Sequence, residues 1–345
     1  MKKAEAPVLL LVLLALLLGL TGCAPRRHRL EPGRVPLIGF SLDSLVVERW
    51  QRDIEVFSRS IKDLGAELIL RVADQDAGVQ EEQVRELVEK GIDVLVIVPN
   101  DADRLSSVVA EVKAKGIQVL SYDRLVRRAG VDLYVSFDNE KVGSLMAEAV
   151  ARAVPSGGYI IINGARSDYN AIMLNNGFHR VLDPLTKTGR VRIVAEIWPK
   201  YWDSDEVKSE MEAVVARDRS IDAVIAGNDM LAEAAIGVLS ESRLMGKAKV
   251  AGQDAELSAC QRIAEGSQYA TIYKPIDRLA LKAAGFAVML AKGERIETDA
   301  VIDDGAGKVP YVRLEPILVT RPLLASTVIK DGFHEAKDVY RNVNN

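Results

Sequence analysis

Histidine and cysteine are nearly missing from these 345 residues, with three of the first and two of the second. Scattered as His28, His179 and His334, the imidazoles assemble neither a zinc spacing nor a Ser-His-Asp arrangement, so packed or solvated roles fit them better than metal binding or catalysis. Only Cys260 lies in the body of the chain, because Cys23 sits near the amino terminus, and no disulfide can staple the body. The fold must be held by its core, which this length permits. Cys260 falls in a helical pattern over 255–265 and reads as a small buried residue. Phosphate loops and dinucleotide-type glycine fingerprints are absent, so neither a cofactor nor a metal is expected. The body also lacks a basic cluster, and with a formal net charge of −4 this argues against nucleic acid.

What is present is ordinary for a soluble globular protein: 48% hydrophobic and 27% charged residues, over a length sufficient for two domains. The amino terminus stands apart. Lys2 and Lys3 precede an apolar run over 8–20 that ends in Leu20-Thr21-Gly22-Cys23, a charged region, a short hydrophobic region and small residues at a cleavage point. Residues 1–22 therefore read as an export signal. Their end resembles the lipobox of bacterial lipoproteins, which would make Cys23 the lipidated first residue of the mature protein. An uncleaved membrane anchor is the alternative, although so short a run makes a poor spanning helix. Two acyl chains on one cysteine suffice for stable anchoring, so the expectation is a protein held on the extracytoplasmic face of the membrane without crossing it. Residues 23–35, with Arg26-Arg27-His28-Arg29, look like a tether whose charge could favour anionic headgroups or be incidental. Removing the signal takes away Lys2, Lys3 and Glu5, two positive charges and one negative, and moves the net charge from −4 to −5.

From residue 35 onward, strand-like and helix-like stretches alternate with short connections. Asp93-Val94-Leu95-Val96-Ile97-Val98 is almost continuously aliphatic, as in a sheet covered on both faces. After the strand-like stretch 131–137 the alternation starts again and runs to about 273. Two consecutive units of this kind predict an α/β protein of two doubly wound, Rossmann-like lobes with a ligand cleft between them. Ser136-Phe137-Asp138-Asn139-Glu140 is the first candidate for a hinge.

Two segments organise the reading, Val119-Leu120-Ser121-Tyr122-Asp123-Arg124 and Val250-Ala251-Gly252-Gln253-Asp254. Each is a short apolar run that stops abruptly at a charge, and in an open parallel sheet ligands bind outside the carboxyl ends of the strands. A polar surface loop would explain either one alone. The repetition argues otherwise: Arg49 and Trp50 follow the first strand, Asp168 and Asn170 follow 160–162, Asn228 and Asp229 follow 224–226, and Lys274 follows 271–273. Trp198 and Trp202, two of only three tryptophans, share one strand-end loop, which core packing does not favour.

Taken in order, Glu48-Arg49-Trp50-Gln51, Leu120 to Arg124, Val135-Ser136-Phe137-Asp138-Asn139-Glu140-Lys141-Val142-Gly143, Gly252-Gln253-Asp254-Ala255, Tyr273-Lys274-Pro275 and Val328-Ile329-Lys330-Asp331-Gly332-Phe333-His334 resemble the D-xylose-binding proteins of sugar ABC transporters. The resemblance spans about 35–334. It implies the type I periplasmic-binding fold with three crossings between lobes, the second near Lys274 and the third near Asp303 or Asp304. The lobes would be 36–136 with about 274–304, and 137–273 with about 305–334, leaving 335–345 as a tail. By family position the ligand contacts would be Arg49, Asp123, Arg124, Asp168, Asn170, Asn228, Asp254 and Lys274, with Trp50 and Trp202 as stacking platforms. A pyranose suits such a set, since its C–H faces lie on aromatic rings and its hydroxyls both donate and accept. Arg49, Arg124 and Lys274 balance Asp123, Asp168 and Asp254, which favours an uncharged polyol over a phosphate, carboxylate or amine. Tyr169 and Arg166 depart from the pattern and are expected at the mouth of the pocket, or on the surface.

The expected function is capture of a monosaccharide, D-xylose, by a monomer that delivers it to permease subunits of an ABC transporter. A lipoprotein that reports the sugar to a membrane sensor kinase would need the same pocket. An exported glycoside hydrolase could use Asp123 and Asp254 as its two carboxylates, but paired Arg and Lys would hold them ionised, which works against a general acid. Sugar-responsive repressors share the fold, yet this chain opens with an export signal where they carry a helix-turn-helix.

Overall fold

The computed structural model describes Leu30 and residues 33–47, 49–298 and 300–343. Cys23, the export signal, His28 and most of the tether lie outside the described residues, as does Glu48. Among the described residues thirteen strands run in order: β1 (Leu37–Leu42), β2 (Glu67–Val72), β3 (Val94–Val98), β4 (Gln118–Tyr122), β5 (Leu133–Phe137), β6 (Gly157–Ile162), β7 (Val191–Ile197), β8 (Ala223–Ala226), β9 (Lys249–Gln253), β10 (Ala270–Tyr273), β11 (Ala300–Asp303), β12 (Lys308–Leu314) and β13 (Ile317–Thr320). They form two sheets, β11-β12-β5-β4-β3-β1-β2 and β13-β10-β9-β8-β6-β7, parallel except at one edge of each, where β11 and β13 run antiparallel.

The aliphatic run of β3 shows why both faces are covered. Val94, Val96 and Val98 pack toward helices Arg49–Asp63 and Ile276–Ala291, while Leu95 and Ile97 pack toward helices Ala77–Glu89 and Ser106–Ala114. Each such side chain, taken wholly out of water, contributes about 1.5–3 kcal/mol. The second sheet repeats the plan. Ile160 and Ile162 of β6 face helices Ser204–Arg217 and Asp229–Glu241, whereas Tyr159 and Ile161 face helices Asn139–Ala153 and Tyr169–Lys187. Those last two helices touch backbone to backbone: a Cβ added at Gly143 would lie 2.1 Å from the Leu174 carbonyl oxygen. Cys260 is fully buried in helix Leu257–Glu265. Among the described residues no helix is long and apolar enough to cross a membrane.

Both sheets share the strand order 2-1-3-4-5, counted within each lobe. The order reverses between β1 and β3 in one and between β6 and β8 in the other, and crevices open at such switch points. The chain leaves the first sheet at Asp138, between β5 and helix Asn139–Ala153, and returns after Tyr273 to place helix Ile276–Ala291 against it.

The third crossing differs from the expectation. It runs between Leu314 and Ile317, because β12 pairs parallel with β5 and antiparallel with β11 inside the first sheet. Residues 303–307, which look like a linker, are the turn of that hairpin. Asp304 is fully buried there. Its Oδ1 accepts from the backbone N–H groups of Ala306 and Gly307 at 2.8 and 2.9 Å, and its Oδ2 from those of Ala129 and Gly130 at 3.0 and 2.7 Å. One carboxylate thus closes the turn and pins it to the β4–β5 loop. Residues 336–343 are also more than a tail, since Val339 joins an apolar cluster with Ala255, Cys260 and Val328 on the second lobe.

Asp304→Ala would strand four N–H groups at once. It is expected to lower the free energy of unfolding by about 2 kcal/mol or more, read from urea denaturation. An unchanged midpoint would contradict the anchoring role.

Candidate functional site

Arg49 opens helix Arg49–Asp63 at the end of the β1 loop, and only 6% of it is exposed. Its Nε lies 3.1 Å from Asp53 Oδ2, one turn along the same helix, and its Nη1 lies 2.9 Å from Asp123 Oδ2 and 3.8 Å from Asp254 Oδ1. The Tyr122 hydroxyl also donates to Asp53. Arg124 is arranged alike: Nη1 sits 2.8 Å from Asp43 Oδ2 in its own lobe, and Nε sits 2.7 Å from Asp168 Oδ2 in the other. Lys274, at the second crossing, lies 2.8 Å from Asp254 Oδ1.

Asp123 and Asp254 occupy matching places, just past the fourth strand of each lobe. Both have left-handed backbones, with φ of 59° and 94°. In each case the backbone N–H donates to the neighbouring strand, Asp123 to Val135 and Asp254 to Ile272. Such φ values are uncommon in residues other than glycine and persist only where the surroundings enforce them. Here the enforcement is visible. The Asp123 carbonyl accepts from Tyr134, Ser136 and Asn170 at 2.9, 2.6 and 3.2 Å.

Asp168 and Asn228 cap helices, accepting from the N–H groups of Asn170 and Leu231 at 2.9 Å each. Asn170 donates across the cleft to Asp123 Oδ1 at 3.2 Å and accepts from Asn139 at 3.0 Å. Trp202 donates its indole N–H to Asp168 Oδ2 at 3.1 Å. Its ring lies in a slot that two strand-end glycines leave open: a Cβ at Gly164 would sit 2.3 Å from the ring and one at Gly227 3.1 Å. Trp50 is 3% exposed, with the Arg49 guanidinium 4.6 Å and that of Arg124 5.6 Å from its ring.

All ten residues singled out in the sequence, Arg49, Trp50, Asp123, Arg124, Asp168, Asn170, Trp202, Asn228, Asp254 and Lys274, line one cavity together with Val47 and Gln253. Asp43 and Asp53, buried behind the two arginines, escaped the sequence reading, as did Gln253. Trp50 Nε1 and Gln253 Oε1 are buried with no hydrogen-bond partner among the described residues, and both side chains belong to the cavity lining. Buried polar atoms are rarely left so unless something else fills the place. Tyr169 and Arg166 do not line the cavity. Among the described residues no cluster suited to a metal ion occurs.

Burial pushes the Asp123 carboxyl up, but Arg49, Lys274 and Arg124 together outweigh it and hold the group below its ordinary value. Burial raises Asp168 and Asp53 against the pull of Arg124 and Arg49 respectively. For Arg49, burial works against the charge, and Asp123, Asp53 and Asp254 reverse this and push its pKa well above the usual value. What the wall can do is grip hydroxyls with strong donors and acceptors and stack apolar faces on indoles.

The profile of the periplasmic binding protein domain matches residues 38–295. The chain belongs to the periplasmic binding protein family. It is 43% identical over 304 residues to the D-xylose-binding periplasmic protein of Haemophilus influenzae, covering 88% of this chain and 92% of that one. The protein of the same name from Escherichia coli is 41% identical over 303 residues with the same coverage. Among solved structures, a carbohydrate transporter solute binding protein from Chloroflexus aurantiacus in complex with D-glucose superposes with a TM-score of 0.83 at 26% identity, over 88% of this chain and 98% of that one. Two doubly wound lobes about a closed cleft are thus the fold of a sugar-binding periplasmic protein.

Beside Asn228 lies Asp229, fully buried, its carboxylate accepting from Gln268 Nε2, Thr271 Oγ1 and the Glu256 N–H at 2.7, 2.8 and 3.1 Å. Burial raises its pKa from 3.8 to about 7 despite those donors. The folded state therefore binds a proton that the unfolded chain has released across this interval, and stability falls as pH rises from about 4 to about 7. Relative to Asp229→Asn, the protein should lose on the order of 2–3 kcal/mol between pH 5 and pH 8, by urea unfolding at both. A constant difference would show that Asp229 does not titrate there.

Proposed function

We propose that this chain is an extracytoplasmic receptor that closes its lobes around one neutral monosaccharide, D-xylose, and presents it to the permease of an ABC transporter, with a lipid on Cys23 holding it to the membrane. The observation that carries the reading is a cavity wall of hydrogen-bonding side chains, three cations and three carboxylates, beside two indoles. With Asp43 and Asp53 behind the arginines the buried cluster already holds more carboxylates than cations, so an anionic ligand would add to its charge and a sugar adds none. A pyranose also supplies hydroxyls for the partnerless Trp50 Nε1 and Gln253 Oε1. Two relatives above 40% identity carry D-xylose in their names, which favours this pentose over other aldoses.

Hydrogen bonds to the wall, less the cost of loosening the salt bridges already there, act together with stacking on the indoles, and micromolar affinity asks for about −8 kcal/mol in sum. Calorimetry of the soluble body with xylose, ribose, arabinose and glucose is expected to rank xylose first. Trp202→Ala and Asp254→Ala should each weaken xylose binding tenfold or more, about 1.4 kcal/mol. Full affinity in both variants would dismiss the pocket. Cys23→Ala should release the protein from the membrane fraction, and retention there would dismiss the lipid anchor.

A further inference from the structure

Tyr169 sits between two cavity residues yet turns away from the cavity. It belongs to the second lobe as the first residue of helix Tyr169–Lys187, and its half-buried ring packs against an apolar cluster of the first lobe that includes Leu125, Val126 and Tyr134. The Arg127 guanidinium of the first lobe lies 4.8 Å from the ring centre. Beside it the lobes share a backbone hydrogen bond, Ala102 N–H to the Ser167 carbonyl at 2.9 Å, and Ala102 in turn accepts from the Arg127 N–H at 2.8 Å. Arg127 is braced on its own lobe by Asp103, 3.2 Å away. On the other side, Arg166 stacks 4.0 Å from the Trp198 ring, which fastens the 166–169 loop to the second lobe. None of Ala102, Arg127, Ser167 and Tyr169 lines the sugar cavity, although Ser167 borders a neighbouring polar pocket.

We infer that Tyr169 and Arg127 form a latch between the lobes that sets sugar affinity from outside the cavity. The contacts exist only while the lobes are together, so they stabilise the closed form alone. Apparent affinity scales with the fraction of protein that can adopt the binding-competent closed form, so a group that biases closure changes affinity without touching ligand. Ring and cation act jointly, since a guanidinium over an aromatic face is attracted to it while the ring's apolar body is covered. The hydroxyl of Tyr169 has no part in this. The inference rests on the sugar-binding reading for its effect on affinity, but not for its effect on closure.

The test uses the full mature chain with dyes on the two lobes. Energy transfer is read with and without xylose, alongside association and dissociation rates for the sugar. Tyr169→Ala should shift the lobes apart and weaken xylose roughly three- to tenfold, mostly through faster dissociation. Arg127→Ala, likewise at a half-buried position, should do the same, and Tyr169→Phe should match the parent in both readouts. Lobe separation and dissociation rate unchanged in both alanine variants would overturn the latch. If the parent protein bound no xylose, the sugar reading would fall, and the lobe separation of the variants would still decide the latch.

Discussion

Arg49 is a cation sealed from water, and the rest of the site is built around keeping it compensated. Removing a charge from water costs several kcal/mol unless partners of opposite sign replace the solvent. Asp53 comes from its own helix, Asp123 from the end of β4 and Asp254 from the other lobe. Arg124 repeats the scheme with Asp43 at home and Asp168 across the cleft. Each arginine thus has at least one partner from its own lobe, which aims it, and one from the lobe opposite.

The two lobes solve one geometrical problem in the same way. Asp123 and Asp254 follow equivalent strands, take left-handed backbones and anchor their N–H groups on the next strand. Continuing as extended chain would carry the carboxylate past the rim of the sheet. The bend turns it into the crevice, where Arg49 meets one and Lys274 the other. Asp229 supports the second bend from below. It holds the Glu256 N–H directly and the Ala255 N–H through Thr271 Oγ1, so a buried carboxyl next to a cavity-lining Asn serves the turn rather than the cavity.

The ends of the strands were legible because an apolar run halted by a charge has no core explanation, and all ten residues named on that basis and by resemblance share one cavity. Other features gave weaker signals. Asp53 looks like an exposed partner of Arg49 at helical spacing, and nothing local says that both are sealed. The third crossing, placed near Asp303 or Asp304 by resemblance alone, comes one strand later, because the turn about Asp304 joins β11 to β12 within the first sheet. Tyr169 departs from the family pattern and was expected at the mouth of the pocket or on the surface. It opens a helix, however, and at 3.6 residues per turn neighbours point about 100° apart. Its ring leaves the cavity and meets the opposite lobe instead.

A wall of ions that already satisfy one another would grip a ligand weakly if those ions were its main holders, because each hydroxyl must compete with an existing salt bridge. Atoms that lack a partner do not face this competition. On the proposed reading, Trp50 Nε1 and Gln253 Oε1 would gain a hydrogen bond outright from a hydroxyl, and both indoles would gain contact. On the proposed reading, the salt bridges contribute mostly by fixing where the walls stand, while the partnerless atoms and the rings supply the gain on binding. Discrimination among sugars then follows from shape more than from charge. A hydroxyl in the wrong orientation would break a bridge whose members cannot be resolvated in the closed cleft, and the penalty for that exceeds what one extra hydrogen bond returns.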